Sequence, residues 1–361
     1  MLQAGFPNEH QTVRAVSGSH LLGVGLWERA RSRLRAGSVA DRPAPPSPTE
    51  WRLISFFCLI LAASLPCLRA AESSEPAPLV AHSLLLDLAR AGSRLVAVGD
   101  RGHILLSDDE ARTWRQVIVP TRAMLTAVTF GTATHGWAVG HDGVILTTAD
   151  AGESWSRQDP GDDLETTWLD VFFSSERFGL IVGAYGRCAY TLDGGKTWQP
   201  AAPPPEELHL NHIAPTSTDT VYVSGEAGTL LASDDARKAW RKIDVPYEGS
   251  LYGLLVLGEE KLLIHGLRGR VYVSEDAGES WSQRTTAAPV LIMAGLRLRS
   301  GVVVLAGLGG NFHVSRDDGA TFALWQPADY PGGVSALLEA TDGALIAVGE
   351  SGAARLQLPL K

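Results

Sequence analysis

Six corners, one about every 42 residues, confine what this chain can fold into. The pattern Ser/Thr-x-Asp-x-Gly-x-Ser/Thr-Trp is complete in TADAGESW (Thr148–Trp155), TLDGGKTW (Thr191–Trp198) and SEDAGESW (Ser274–Trp281). It is altered in SDDEARTW (Ser107–Trp114), SDDARKAW (Ser233–Trp240) and SRDDGATF (Ser315–Phe322). The aspartates Asp109, Asp150, Asp193, Asp235, Asp276 and Asp317 follow one another at 41, 43, 42, 41 and 41 residues. Such a period marks one supersecondary unit repeated in a stack or a circle. Units that contact only their neighbours escape the usual limit on domain size, so residues 72–361 are expected to form one domain.

One repeat, residues 125–158, shows what the unit is. Leu125–Phe130 alternates and is rich in β-branched and aromatic residues, which reads as a strand. Gly136–Gly140 is a second strand, Val144–Thr148 a third after the turn His141–Gly143, and Ser154–Gln158 a fourth. Four antiparallel strands joined by hairpins make a propeller blade. A Gly-x-x-Gly between strands two and three counts the blades independently. It occurs at residues 99–102, 140–143, 183–186, 225–228, 266–269, 307–310 and 349–352, which makes seven. The sequence therefore predicts an all-β, seven-bladed propeller of four-stranded antiparallel blades. The seventh unit has no Asp corner and no fourth strand, so Pro76–Ser83 is expected to join the last blade and close the ring, removing an exposed edge.

Each corner has a physical reading. The Asp carboxylate accepts nearby backbone N–H groups, Gly permits a left-handed turn residue, and Ser or Thr adds a local hydrogen bond. The aromatic then opens the outer strand and packs between sheets. Asp109, Trp114, Asp150, Trp155, Asp193, Trp198, Asp235, Trp240, Asp276, Trp281, Asp317 and Phe322 are thus expected to be structural.

The front of the chain has another character. Leu53–Ala63 is a short apolar run preceded by Arg52 and followed by the small residues of Leu68–Ser73. That layout predicts a signal peptide over 51–71, export to the periplasm or an equivalent lumen, and a disordered leader or misplaced start over 1–50. Without residues 1–70, which hold eight Arg and four acids, the net charge falls from −9 to −13. An acidic domain lacking a basic stripe excludes nucleic acid as a partner. Cys188 is left as a lone thiol in a strand and is expected to be buried and inert.

These residues carry a resemblance. The corners are the Asp-box, or bacterial neuraminidase repeat, found in sialidases and other propellers. The fuller pattern, best seen in GWAVGHDGVILTTADAGESW (Gly136–Trp155) and VGAYGRCAYTLDGGKTW (Val182–Trp198), resembles the photosystem II assembly and stability factor family. The resemblance covers about residues 79–358. It implies a seven-bladed, non-enzymatic, exported propeller without cofactor or metal, at home in the thylakoid lumen in photosynthetic organisms. The implied partner is a protein, a newly made membrane-complex subunit through which the propeller meets the membrane.

Two function classes follow. A binding platform would use the strand-two-to-three turns, which display Arg101, His141, Tyr185, Arg187, Arg268 and Arg270, together with Asp100, Glu226 and Glu350. Charged and aromatic side chains on a rigid ring suit protein recognition. The alternative is a sialidase-like exo-glycosidase, which needs three arginines on a substrate carboxylate and a tyrosine activated by a glutamate. The chain lacks the Arg-containing tetrapeptide that begins that set, and Tyr252 with Glu259 or Glu260 is the nearest approach to the pair. His209 and His212 are spaced as metal ligands on a helix, but they fall in loop and strand, which favours a structural or solvent-facing role. Gly307–Phe312 is glycine-rich like a phosphate loop, but no helix follows it.

Overall fold

The computed structural model describes residues 72–158, 166–202, 204, 206–217 and 220–359. The expected leader and signal peptide lie outside those residues. The described chain is built from seven antiparallel sheets in sequence order, over residues 85–117, 125–158, 168–200, 210–242, 251–284, 292–325 and 334–356. Blade two shows the plan, with strands Leu125–Phe130, Gly136–Gly140, Ile145–Thr148 and Ser156–Gln158. The Trp closes the turn and the outer strand begins at Ser156, two residues after the expected start at Ser154.

Burial follows position in the blade. The second strand is buried along its length in Gly136–Gly140, Leu262–Gly266 and Leu345–Gly349 alike. It reads as continuous Val, Leu, Ile and Ala because both of its faces meet other blades. The hydrophobic core is accordingly split into seven clusters, one per seam between neighbouring blades. Each fully buried Val, Leu or Ile there contributes about 1.5–3 kcal/mol. Every inner strand carries a register shift between its first and third residues, for instance Leu85/Asp87 and Leu125/Ala127.

The Gly-x-x-Gly turns line one face. Their second glycine takes a positive φ, from +62° at Gly310 to +79° at Gly352. A side chain there would also strike the connector leading to the next blade. A Cβ on Gly102 would lie 2.3 Å from the Thr121 carbonyl oxygen, and one on Gly352 would lie 2.0 Å from that of Ala81.

Ring closure differs from the expectation. Among the described residues blade seven has three strands, Val334–Glu339, Leu345–Gly349 and Gly352–Leu356. Residues around the short 3-10 turn Val80–His82 cross Gly352 as a connector into blade one, without forming a ladder. Upstream, the chain turns toward blade one. Ser74 N–H donates to the Val119 carbonyl at 2.9 Å, and Ala77 N–H to Gln116 Oε1 at 2.8 Å. Pro76 and Pro78 explain this, since neither has an N–H to give a strand ladder. Blades seven and one instead meet through the cluster that includes Val80, Leu88, Ile346 and Val348. Polar contacts add to it: Arg90 donates to the Glu339 carbonyl at 3.3 Å, and the Thr341 N–H donates to Glu110 at 3.0 Å, where Glu110 is held by Arg90 of its own blade at 2.7 Å.

Candidate functional site

The Asp corners come first because they frame the rest. In box two, Asp150 Oδ1 accepts the Ser154 N–H at 2.9 Å and the Thr148 hydroxyl at 2.7 Å. Oδ2 accepts the Ser154 hydroxyl at 2.6 Å. Thr148 Oγ1 accepts the Gly152 N–H at 3.0 Å, and Trp155 Nε1 donates to the Gly152 carbonyl at 3.0 Å. The same carboxylate bonds recur at Asp193, Asp276 and Asp317. There the hydroxyl and N–H of the seventh box residue hold each carboxyl at about 2. Asp109 is bound likewise by Thr113 and Ser107. Each carboxylate is engaged inside its own turn.

Box four departs from this. Ala239 supplies no hydroxyl, and Ser233 donates instead to the Ala239 carbonyl at 2.5 Å. Asp235 is bound by Arg237 Nε at 2.7 Å and Lys238 Nζ at 3.0 Å, cations from within the box. Trp240 Nε1 reaches the Ala202 carbonyl of the preceding unit at 3.0 Å.

The turn face presents the residues expected to bind a partner. Arg101, Tyr185 and Arg268 each occupy the third turn position at φ +53°, +56° and +57°. The left-handed region costs a non-glycine residue about 1–2 kcal/mol, and the sixth turn uses Gly309 at that place. Tyr185 is 68 % exposed. Its ring lies 4.9 Å from that of His209, whose Nδ1 sits 2.6 Å from Glu226 Oε2. His209 was legible only as one of a pair of histidines; it leads into blade four, whose own turn carries its partner Glu226. Burial raises the Tyr247 phenol against the opposing charges of Arg268 and Arg270, and its hydroxyl donates to the Leu267 carbonyl at 3.1 Å. Blades three to five thus form an arc carrying Tyr185, Arg187, His209, Glu226, Tyr247, Arg268 and Arg270. Among the described residues, Arg187, Arg268 and Arg270 enter no ion pair within 4.0 Å. Arg101 and His141 project from the turns of blades one and two, outside that arc, and Arg101 is paired with Asp100 at 3.5 Å.

A second polar centre lies on the axis, where the inner strands enclose a cavity of about 400 Å³ lined by Asp87, Thr126, Asp170, Asn211, His212 and Tyr252 among others. Asp87 Oδ2 accepts the Val128 N–H at 2.8 Å, and Asp170 Oδ2 accepts the Ile213 N–H at 2.7 Å, each reaching the following blade. Burial, and then the charge of Asp170, push Asp87 up to about 7. Burial opposes the charge on His212, but Asp170 at 2.9 Å outweighs it and raises the imidazole. This cluster went unread because Asp87, Asp170 and His212 belong to three repeats and to no local motif. Aligning the repeats on the third residue of each inner strand places all three in register, a signal that was available.

No lining residue of this cavity is an arginine, so the axis offers carboxylates where a sialidase needs cations. Tyr252 is the second residue of its strand, and Glu259 and Glu260 lie in the exposed turn beyond its far end, roughly 20 Å along. The structure does not bring them together. Cys188 is buried, and burial pushes its thiol up.

The fold and its corners define an Asp-box seven-bladed propeller. The chain belongs to the family described as photosynthesis system II assembly factor YCF48, whose model matches residues 106–165 and 160–353. It is 29 % identical over 148 residues to photosystem II assembly protein Ycf48 of Synechococcus sp. (strain JA-3-3Ab), covering 39 % of this chain and 43 % of that one. It is 24 % identical over 152 residues to the chloroplastic photosystem II stability/assembly factor HCF136 of Arabidopsis thaliana, covering 40 % of this chain and 38 % of that one. The chain thus spans less than half the length of these curated relatives. Among solved structures, one described as YCF48 bound to D1 peptide matches at a TM-score of 0.65 and 19 % identity, covering 80 % of this chain and 97 % of that one. YCF48 from Cyanidioschyzon merolae matches at 0.65 and 16 %, covering 77 % and 96 %.

Proposed function

We propose that this chain is an exported, non-enzymatic assembly factor of the photosystem II type, which binds a segment of a membrane-complex subunit on its turn face. Family membership over residues 106–353 is the observation that carries this reading. The arc of blades three to five supports it: Arg187, Arg268 and Arg270 are not spent on ion pairs, and Tyr185 is held outward in a conformation glycine would adopt at less cost. Arg101 and His141 extend the surface onto blades one and two. A rigid ring with aromatic and arginine anchors suits a peptide carrying acidic and apolar side chains. Export to the periplasm, or to the thylakoid lumen in a photosynthetic source, rests on the apolar run Leu53–Ala63 and its flanks. A D1 peptide is held by the similar solved structure and is the probe to use here. Fluorescence anisotropy should give saturable binding by the wild type and at least a tenfold loss in a variant carrying Arg187→Glu, Arg268→Glu and Arg270→Glu, with its melting temperature kept. Undiminished binding by that variant overturns the assignment of the face.

A further inference from the structure

Six of the seven blades end in an outer strand of two or three residues, polar in the main as in Arg115–Val117, Ser156–Gln158 and Ser282–Arg284, and apolar in Ala323–Trp325 of blade six. Directly before each stands a box aromatic that packs into the seam with the preceding blade. Trp114 lies at the seam of blades seven and one, Trp155 at one and two, Trp198 at two and three. Trp240, Trp281 and Phe322 continue the series. Blade seven breaks it. Its sheet stops at Gly352–Leu356, and the seam of blades six and seven receives Leu358 from the tail. Pro359 accepts a hydrogen bond from Arg316 of blade six, so the described tail runs along that seam and does not fold back as a strand.

Two features are left beside each other. One is the edge of the third strand, which no strand among the described residues pairs. The two-residue turn Glu350–Ser351 makes Gly349 and Gly352 a paired couple, so alternation turns the N–H and C=O groups of Ala353 and Arg355 away from the sheet. The other is a groove of about 500 Å³ at the rim, lined by Val314, Thr321, Ala323, Leu324, Trp325 and Pro359. Unpaired edges of this kind are templates for strand addition.

We propose that the edge of blade seven takes its fourth strand from another protein: an extended segment in which an aromatic residue precedes two or three polar ones. The aromatic enters the Trp325–Pro359 groove, and the polar residues pair with Ala353 and Arg355. The chain's own corners specify that chemistry, because all six supply the aromatic and those of blades one to five follow it with a short polar strand doing this for each blade. The site lies on the rim and does not depend on the turn-face reading above.

The probe is a labelled peptide copying residues 279–286, Glu-Ser-Trp-Ser-Gln-Arg-Thr-Thr, added to the full chain. Saturable binding is expected, weakened at least tenfold when its Trp is replaced by Ala. It should weaken similarly in the protein variant Ala353→Pro, which removes an outward N–H and leaves the pairing with Leu345–Gly349 intact. Should that variant fold poorly, hydrogen exchange on the wild type decides: the amides of Ala353 and Arg355 gain protection with peptide. Three results overturn the proposal. They are no saturable binding at millimolar peptide, protection confined to the turn face, and a dimer of this chain that Ala353→Pro abolishes, which would make a second copy the occupant.

Discussion

Boxes two and four hold the same place in their blades and lock it by different means. Asp150 is bound by hydroxyls and N–H groups of its own turn, and Trp155 closes back on Gly152. Asp235, lacking a hydroxyl at Ala239, is bound by Arg237 and Lys238, and Trp240 is tied to the preceding unit. The aspartate is kept while its partners are exchanged. What the corner requires is a filled carboxylate beneath an aromatic, and uncharged or charged donors both serve.

The largest contrast should come from the aromatics. Trp155 is buried and Trp240 half-buried, so Trp155→Ala is expected to cost about 3–4 kcal/mol and Trp240→Ala about half that in urea unfolding. Equal losses would mean that burial in the seam does not set the corner's strength. Next come the carboxylates. Asp150→Ala should cost about 1–2 kcal/mol at any salt concentration, because neutral donors are lost. Asp235→Ala should cost about 0.5 kcal/mol at low salt and nothing measurable in 1 M NaCl, where exposed ion pairs are screened. Acid does not separate the two in this way. Asp193, Asp276 and Asp317, held at about 2 against about 3.9 unfolded, give stability that is present above pH 4 and lost as pH falls from 4 to 2. Asp235, held lower still by Arg237, loses the last of its share only as the acid deepens further. The smallest effect is the repair: Ala239→Thr should return the hydroxyl to Asp235 and add about 0.5 kcal/mol, read as a shift in the urea midpoint. A destabilised repair variant would show that Arg237 and Lys238 have committed the turn to another shape.

The blades were legible because boxes and Gly-x-x-Gly turns recur in fixed register, so strand ends such as Leu125, Phe130, Gly136 and Gly140 could be read directly. Closure was not legible. Val80 does pack against blade seven's neighbours, but Pro76, Pro78 and Ser74 direct the preceding residues to blade one, a choice made by tertiary contacts. Arg187, Tyr185 and Arg268 could be placed on the turn face from position alone. The Asp170–His212 contact joins different repeats, and spacing within one repeat carries no trace of it, whereas His209–Glu226 lies within the fourth repeat, where the residue before the first strand meets the turn as Gly333 meets Glu350 in the seventh.

No described peptide links the last strand of blade seven directly to blade one, so that joint works as a clasp fastened by charge. Glu110 grips Arg90 and the Thr341 N–H, its carboxyl held at about 2 by that guanidinium, while Arg112 and Arg355 meet Asp342. A wheel latched in this way has a defined point of failure. Strong acid neutralises Glu110 and Asp342 together, and mechanical pull on the first and last blades loads this junction before any other, so unravelling should begin there and travel blade by blade.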